Sequence, residues 1–326
     1  MMKIAIVLCS LFLVAMPAIA AQEQNQEMQK VSASAITTAS EDDFVLGVYG
    51  NANEDDTIDM RDLTYVKLIF FGKKPETELA DAKYDGKINP LDFIQIKLII
   101  VGKEKELTLI DTNERIVTVK KPLKRIVTCN RHFLEVLQAL KVPKDKVVGV
   151  PDGIKWPGYD ILYPKFQDVP SVAGGYSPGS APDCEAIIGL HPDAVFLYGF
   201  YHGSDAATDV LKSAGITVLR LSFNRPHIPN LFQEEVEKLG YIFGKQAEAD
   251  ELLDFHDWIQ NLIKERVEGI PEEDKPRVYS ESWIDSYVTT ERYARIEIAG
   301  GRNTVSYTHL RAHETRHDLV CRLLLE

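Results

Sequence analysis

Cysteine is scarce in this sequence: four residues among 326, of which Cys9 lies in an apolar N-terminal run and Cys321 close to the opposite end. That scarcity excludes a disulfide-stapled scaffold and leaves Cys129 and Cys184, which read as small buried side chains. Spacing alone cannot decide whether they pair, because a bridge depends on the geometry of both Cβ atoms. Excess positive charge is lacking too. With 37 Lys and Arg against 49 Asp and Glu, the net charge of −12 argues against a nucleic-acid surface and suits an extracytoplasmic protein that tolerates cations. No phosphate-cradling G-x-x-x-x-G-K-[ST] loop is present, "GGYSPGS" matches no nucleotide-binding loop in spacing or context, and outside residues 305–326 there is no H-E-x-x-H. An enzyme is therefore not expected. What remains is ordinary: 45% hydrophobic and 26% charged residues, over a length sufficient for two domains.

The first residues read "MMK", then the apolar "IAIVLCSLFLVAM", then "PAIAAQ". This is the basic start, short greasy centre and small-residue cleavage site of a secretory signal over residues 1–20, cut after Ala20. The apolar run is too short to cross a bilayer comfortably, and Cys9 lies inside it rather than at its end, so neither a transmembrane anchor nor a lipid-modified cysteine is expected. Export to the periplasm or outer surface follows. Residues 21–45, polar and rich in Ser, Thr and Gln, read as a flexible tether. Near the other end His309, His313 and His317 recur at i, i+4 and i+8, which on a helix lines one face and suggests a transition-metal site, the basis for a metal-dependent enzyme as a third hypothesis. Residues 305–326, "VSYTHLRAHETRHDLVCRLLLE", resemble instead the conceptual translation of a sequencing adapter. The histidines are set aside on that ground, and the natural chain is expected to diverge near Thr304.

Two acidic stretches repeat. Aligned at an offset of 30, "GNANEDDTIDMRDLTYVKLIFFGK" and "ADAKYDGKINPLDFIQIKLIIVGK" place Asn51 on Asp81, Asp55 on Asp85, Asp59 on Asn89, Asp62 on Asp92, Lys67 on Lys97 and Gly72 on Gly102. Each copy offers oxygen side chains at loop positions 1, 5, 9 and 12, and a backbone carbonyl from Thr57 or Lys87 at position 7, a hard-oxygen set that suits Ca²⁺. Loop one adds Asn53 but has Asp56 where a sharp turn prefers Gly; loop two carries Lys83 at a usual ligand position and is expected to bind more weakly. Ile58 and Ile88 are placed to pair the loops through a short strand. The helices that follow end at Gly72 and Gly102, suited to left-handed caps, with their apolar faces packed together. The pair resembles a dockerin-type, EF-hand-like module over residues 46–104. That resemblance implies Ca²⁺ held by Asn51, Asn53, Asp55, Thr57, Asp59 and Asp62, and more weakly by Asp81, Asp85, Lys87, Asn89 and Asp92, together with a cohesin-like partner for which the sequence has no signature. Two solvated acidic turns without metal are the plainer alternative.

From Leu107 the texture changes. "LTLIDTNERIVTVKKP" reads as a hairpin, "KRIVTCN", "RHFLEVLQAL" and "KVVGV" as a strand-helix-strand unit, and "CEAIIGLHPDAVFLYG" and "AATDVLKSAGITVLRLSF" as two further helix-strand pairs. "HPD" at 191–193 reads as a structural turn, with Pro192 stopping a helix. This segment, together with "NLFQEEVEKLGYIFGKQAEADELLDFHDWIQNLIKERVEGI", "RVYSESWIDSYVTT" and "IEIAGGRN", resembles the substrate-binding proteins of ABC importers for ferric siderophores, corrinoids and haem. The resemblance implies an α/β fold: a Rossmann-like lobe over 107–245, a bridging helix over 246–270, and the start of a second, largely absent lobe over 271–304, preceded by the small all-α module. It also implies a metal chelate as cargo and a membrane permease as partner. In open α/β sheets ligands bind at strand C-terminal ends, so the candidate contacts are Asn130, Arg131, His132, Tyr176, Ser177, Tyr198, Tyr201, His202, Asn224, Arg225 and, in the second lobe, Trp283. Arg131 or Arg225 suits a carboxylate or phosphate through its fork of donors. The alternative function is a calcium-dependent cell-surface docking protein.

Overall fold

The structure is a computed structural model that describes residues 44–172, 181–223, 228–279 and 294–303. The expected signal, the tether as far as residue 43 and the suspect tail lie outside them. The chain divides into two compact units, one of residues 1–131 and 143–220, the other of 132–142 and 221–326.

In the first unit, both acidic loops end in the same helix start. Asp59 and Asn89 are N-caps whose side chains accept from the N–H of Arg61 (2.6 Å) and Leu91 (2.8 Å), while Asp62 and Asp92 reach back to accept from the N–H of Asp59 (2.8 Å) and Asn89 (2.7 Å). Such capping boxes satisfy N–H groups that a helix start leaves without partners. They open α1 (Met60–Phe70) and α2 (Pro90–Ile100). Gly72 (φ 64°) and Gly102 (φ 63°) close them in the left-handed region, and Lys73 and Lys103 donate back to the carbonyls of Leu68 and Leu98. Leu63, Val66 and Ile69 of α1 and Ile96 and Ile99 of α2 are buried where the two helices pack. The short strand expected at Ile58 and Ile88 does not form. Ile58 is instead part of the buried core, and neither residue belongs to a strand among the described residues.

The hairpin follows, with β1 (Glu106–Ile110) antiparallel to β2 (Ile116–Lys120) and Leu107 opposite Val119. The repeat is joined to it by backbone. Tyr49 donates its N–H to Thr108 (2.9 Å), Ile110 donates to Gly47 (2.8 Å), and the Gln95 amide reaches the Glu106 carbonyl (2.7 Å).

The remaining strands build a four-stranded sheet: β3 (Ile126–Thr128), β4 (Val147–Gly149), β5 (Ala194–Tyr198) and β6 (Thr217–Leu221), in the order β4-β3-β5-β6, with β3 parallel to both β4 and β5. Along the chain α3 (Arg131–Ala139), α4 (Cys184–Gly189) and α5 (Asp205–Ser213) separate them. Val127, Val172, Ile187, Val195, Leu197, Leu211 and Val218 form the core with Cys129. Gly149 has no room for a side chain, since a Cβ there would stand 2.9 Å from both Leu190 and Val172. The His-Pro-Asp turn is structural: the Asp193 carboxylate accepts from the N–H of Lys124 (2.7 Å) and Arg125 (2.8 Å), and the Arg125 guanidinium donates to the carbonyls of Leu190 and His191.

The second unit pairs α6 (Leu231–Phe243) with α7 (Gln246–Val267) about the left-handed Gly244. Close approach is possible because Gly240 lacks the Cβ that would lie 3.0 Å from that of Ala249. β7 (Arg277–Val278), α8 (Ala294–Ile298) and β8 (Arg302–Asn303) follow, the two strands parallel. No helix among the described residues is long and apolar enough to cross a membrane.

Candidate functional site

Parallel strands bring their C-terminal ends to one edge, and in the first unit this edge carries polar side chains. β3 runs into a turn held by Thr128, whose hydroxyl donates to the Asn130 carbonyl and accepts from the Asn130 N–H, both at 2.9 Å. The turn delivers Arg131. Its guanidinium donates to the Tyr159 hydroxyl (2.9 Å) and lies 5.6 Å from the centre of that ring. Tyr159 stacks with Tyr163, and Trp156 meets it edge-on. Burial works against the charge of Arg131, but the hydroxyls of Tyr159 and Tyr198 outweigh it and hold the guanidinium above its ordinary value. The result is a preoriented cation on an aromatic shelf, chemistry suited to a carboxylate or other oxyanion.

β5 runs into Tyr198, Tyr201 and His202, a loop held from behind by Arg220 of β6. This buried guanidinium donates to the carbonyls of Tyr198 (3.0 Å) and Tyr201 (2.5 Å) and pairs with Asp205. The backbone N–H of Arg220 goes to Asp111 (3.1 Å), whose carboxylate is also gripped by Arg115 (2.5 Å). Asp205 is held below its ordinary carboxylate value because Arg220 donates to it. Its other oxygen lies 3.3 Å from Nδ1 of the exposed His202.

Of the expected contacts, the structure thus brings Asn130, Arg131, Tyr198, Tyr201 and His202 to the strand-end edge. His132 stands 3.3 Å from Glu135 one turn on, a pairing along its own helix, and belongs to the second unit. Tyr176, Ser177, Asn224, Arg225 and Trp283 lie outside the described residues. Sequence reasoning passed over Tyr159 and the Asp111-Arg220-Asp205 network. For Arg220 a signal existed, a lone charge inside the apolar run "TVLRLSF". Residues 175–179, Gly-Tyr-Ser-Pro-Gly, also spell G-x-S-x-G, and residues 313–317 spell H-E-x-x-H. Both lie outside the described residues, and the first is separated by Pro182 from α4, whereas a nucleophile elbow turns from strand directly into helix. Cys129 and Cys184 are free thiols, and burial pushes that of Cys129 up, which leaves it inert.

The acidic loops are tightly hydrogen-bonded. Asn51 donates its amide to the carbonyls of Leu46 (2.9 Å) and Asp55 (2.6 Å), and the fully buried Asp62 also accepts from the N–H of Asn53 (3.2 Å). Burial pushes the Asp62 carboxyl up to about 7. The Asn53 Oδ1 is buried without a hydrogen-bond partner, whereas Arg61 pairs with both Asp55 and Asp59 at 3.0 Å. In the second loop Asp92 likewise accepts from Lys83 (2.9 Å), Asp81 from Asp85 and Gly86, and the Lys87 carbonyl from the Asn89 amide. Among the described residues no three His, Cys, Asp or Glu side chains converge as a metal centre. The first loop, with an orphaned amide oxygen beside buried carboxylates, fits a hard cation better than the second, where the oxygens serve the backbone and two lysines stand nearby.

A family profile described as periplasmic binding protein matches residues 126–300, more than half of the chain. The chain belongs to the periplasmic binding protein family. Solved structures resembling this periplasmic binding protein include the molybdate-binding protein MolA of Haemophilus influenzae, with molybdate bound, at 18% identity and a TM-score of 0.51, covering 60% of this chain and 65% of that one. An ABC transporter solute-binding protein from Sulfurospirillum deleyianum matches at 19% identity and a TM-score of 0.48, over 61% of this chain and 63% of that one. The petrobactin-binding protein YclQ of Bacillus subtilis matches at 19% and 0.45, over 54% and 57%. The chain thus spans less than two thirds of the length of each. At 18% identity the likeness to MolA speaks for the fold alone. Comparison with curated protein sequences gives no match.

Proposed function

We propose that this periplasmic binding protein is the extracytoplasmic cargo-binding component of an ABC importer. It captures a metal chelate of the ferric siderophore, corrinoid or haem class and hands it to a membrane permease. The observation that carries the reading is Arg131 on the Tyr159 ring, a preorganised guanidinium at the strand ends that suits the carboxylate, propionate or phosphate rim of such a chelate. Asn130, Tyr198, Tyr201 and His202 supply further polar contacts, and Tyr176, Ser177, Asn224, Arg225 and Trp283 complete the set. Thermal-shift titration of the full chain against ferric hydroxamate, cyanocobalamin, haemin and molybdate tests it, since cargo bound only by the folded state raises the midpoint with concentration. One chelate is expected to do so, and Arg131→Gln to weaken it by about tenfold. A response to molybdate alone would make the cargo a bare oxyanion, and a chain that answers to none of the four overturns the reading.

A second reading adds calcium-dependent docking through the repeat. It is favoured by the exposed Leu91 and Ile94 of α2 and Val101 at its C-cap, an apolar stripe turned to solvent at helical spacing, and by the donor set of the first loop. Asn51, Asn53, Asp55, the Thr57 carbonyl, Asp59 and Asp62 would hold Ca²⁺ there, and a cohesin-like protein is the proposed partner. Calorimetric titration with CaCl₂ is expected to give one stronger and one weaker site; no heat above dilution sinks this reading and leaves the first standing.

A further inference from the structure

The loop after β5 places a phenylalanine where a glycine would sit more easily. Phe200 holds a left-handed backbone (φ 56°), an outlier for a bulky side chain, and is 41% exposed to solvent. The same loop, "YGFYHGS", has glycines at 199 and 203 but none at the position whose backbone favours one. Gly203 meets a different need, since a Cβ there would stand 2.5 Å from the ring of Tyr201, which packs down onto it. Of the aromatic side chains at 198, 200 and 201, Phe200 is the exposed one.

The conformation is held from outside the loop. The Phe200 N–H donates to Oδ1 of Asn113 in the hairpin turn, 87 residues away (3.2 Å), and the Asn113 N–H in turn goes to Asp111 (3.0 Å). Arg220 grips the carbonyls on either side, those of Tyr198 and Tyr201. Backbone outliers over-determined by their neighbours in this way collect at ligand clamps, and none of these hydrogen bonds needs a ring at 200. The Tyr198 hydroxyl acts on the charge of Arg131, so the loop borders that guanidinium and its aromatic shelf. We infer that Phe200 is a specificity-determining residue of the cargo site, positioned by Asn113, and that it selects chelates with a conjugated ring face beside an anionic rim. The inference rests on the cargo-binding reading above. Ring packs on ring in offset or edge-on geometry while Arg131 meets the rim, and the aliphatic arms of a hydroxamate offer no such face.

The test is a calorimetric titration of the full chain with haemin, ferric 2,3-dihydroxybenzoate and ferric acetohydroxamate. One of the two ring-bearing chelates is expected to bind about fivefold more tightly than the hydroxamate. Phe200→Asn, which accepts the left-handed backbone but has no ring, is expected to abolish that preference, and Phe200→Tyr to keep it. Asn113→Ala is expected to lower the same ratio about threefold, and Asn113→Asp, which retains an acceptor, to restore it. A merely structural loss would weaken all the chelates alike and leave the ratio unmoved. A preference that survives in Phe200→Asn, or a parent chain that binds the hydroxamate as tightly as the ring-bearing chelates, overturns the assignment of Phe200 and leaves the cargo reading standing. An unchanged ratio in Asn113→Ala overturns the role given to Asn113. A parent chain that binds none of the three also overturns the inference, whereas the cargo reading falls only if cyanocobalamin and molybdate fail as well.

Discussion

Arg61 stands where a cation is wanted. Its guanidinium lies 3.0 Å from Asp55 and from Asp59, two of the six residues proposed to hold Ca²⁺ in the first loop, and it must let go of them for an ion to enter. Arg61→Gln is therefore expected to raise calcium affinity by about threefold, the worth of an exposed ion pair, measured by calorimetry. Arg220 plays the opposite part, since nothing competes for it. Truncation to Met leaves the carbonyls of Tyr198 and Tyr201 without their donor and is expected to cost roughly 2 kcal/mol in urea unfolding. Because those carbonyls belong to the loop that carries Tyr201 and His202, cargo affinity should fall more than it does in a variant of equal stability altered elsewhere.

At the scale of elements, β6 and α5 are tied by a bond that pH can break. The Asp205 carboxyl is held below its ordinary value by the Arg220 donor, so its ionised form stabilises the fold. That contribution is complete above the unfolded value, near pH 4, and is lost as pH falls through the lower folded value. Asp205→Asn should therefore lower the urea midpoint at pH 7, with the difference from the parent chain closing as pH falls below the unfolded value. β4 offers a second test. Gly149→Ala drives a methyl within 2.9 Å of Leu190 and Val172 in a packed core, and should lower stability by about 1–3 kcal/mol. An unchanged thermal midpoint would mean that the sheet edge yields more easily than its packing implies.

For the molecule as a whole, what could be read from sequence follows from how local each signal was. The glycine stops at Gly72 and Gly102 and the alternation of apolar strands with helices are written within a few residues of where they act, and the corresponding helices and strands lie where expected; the capping boxes at Asp59 and Asn89 are equally local, but in the sequence their side chains read as calcium ligands. The Arg131–Tyr159 contact joins residues 28 apart, and Arg220 reaches Asp111 across 109, so neither partner could be named from its neighbours. At Ile58 the apolar side chain expected from the pattern is buried in the core, but its position forms no strand. The backbone links from Gly47 and Tyr49 to β1 are likewise nonlocal, and they change what the acidic repeat is mechanically. A module hung on a slack linker would tumble by itself. This one is clamped to the hairpin at two points, so ¹⁵N relaxation should return one correlation time for residues 46–103 and 106–120. Any grip taken on α2 would then pass as torque straight into the strands, and whatever holds the repeat also aims the hairpin.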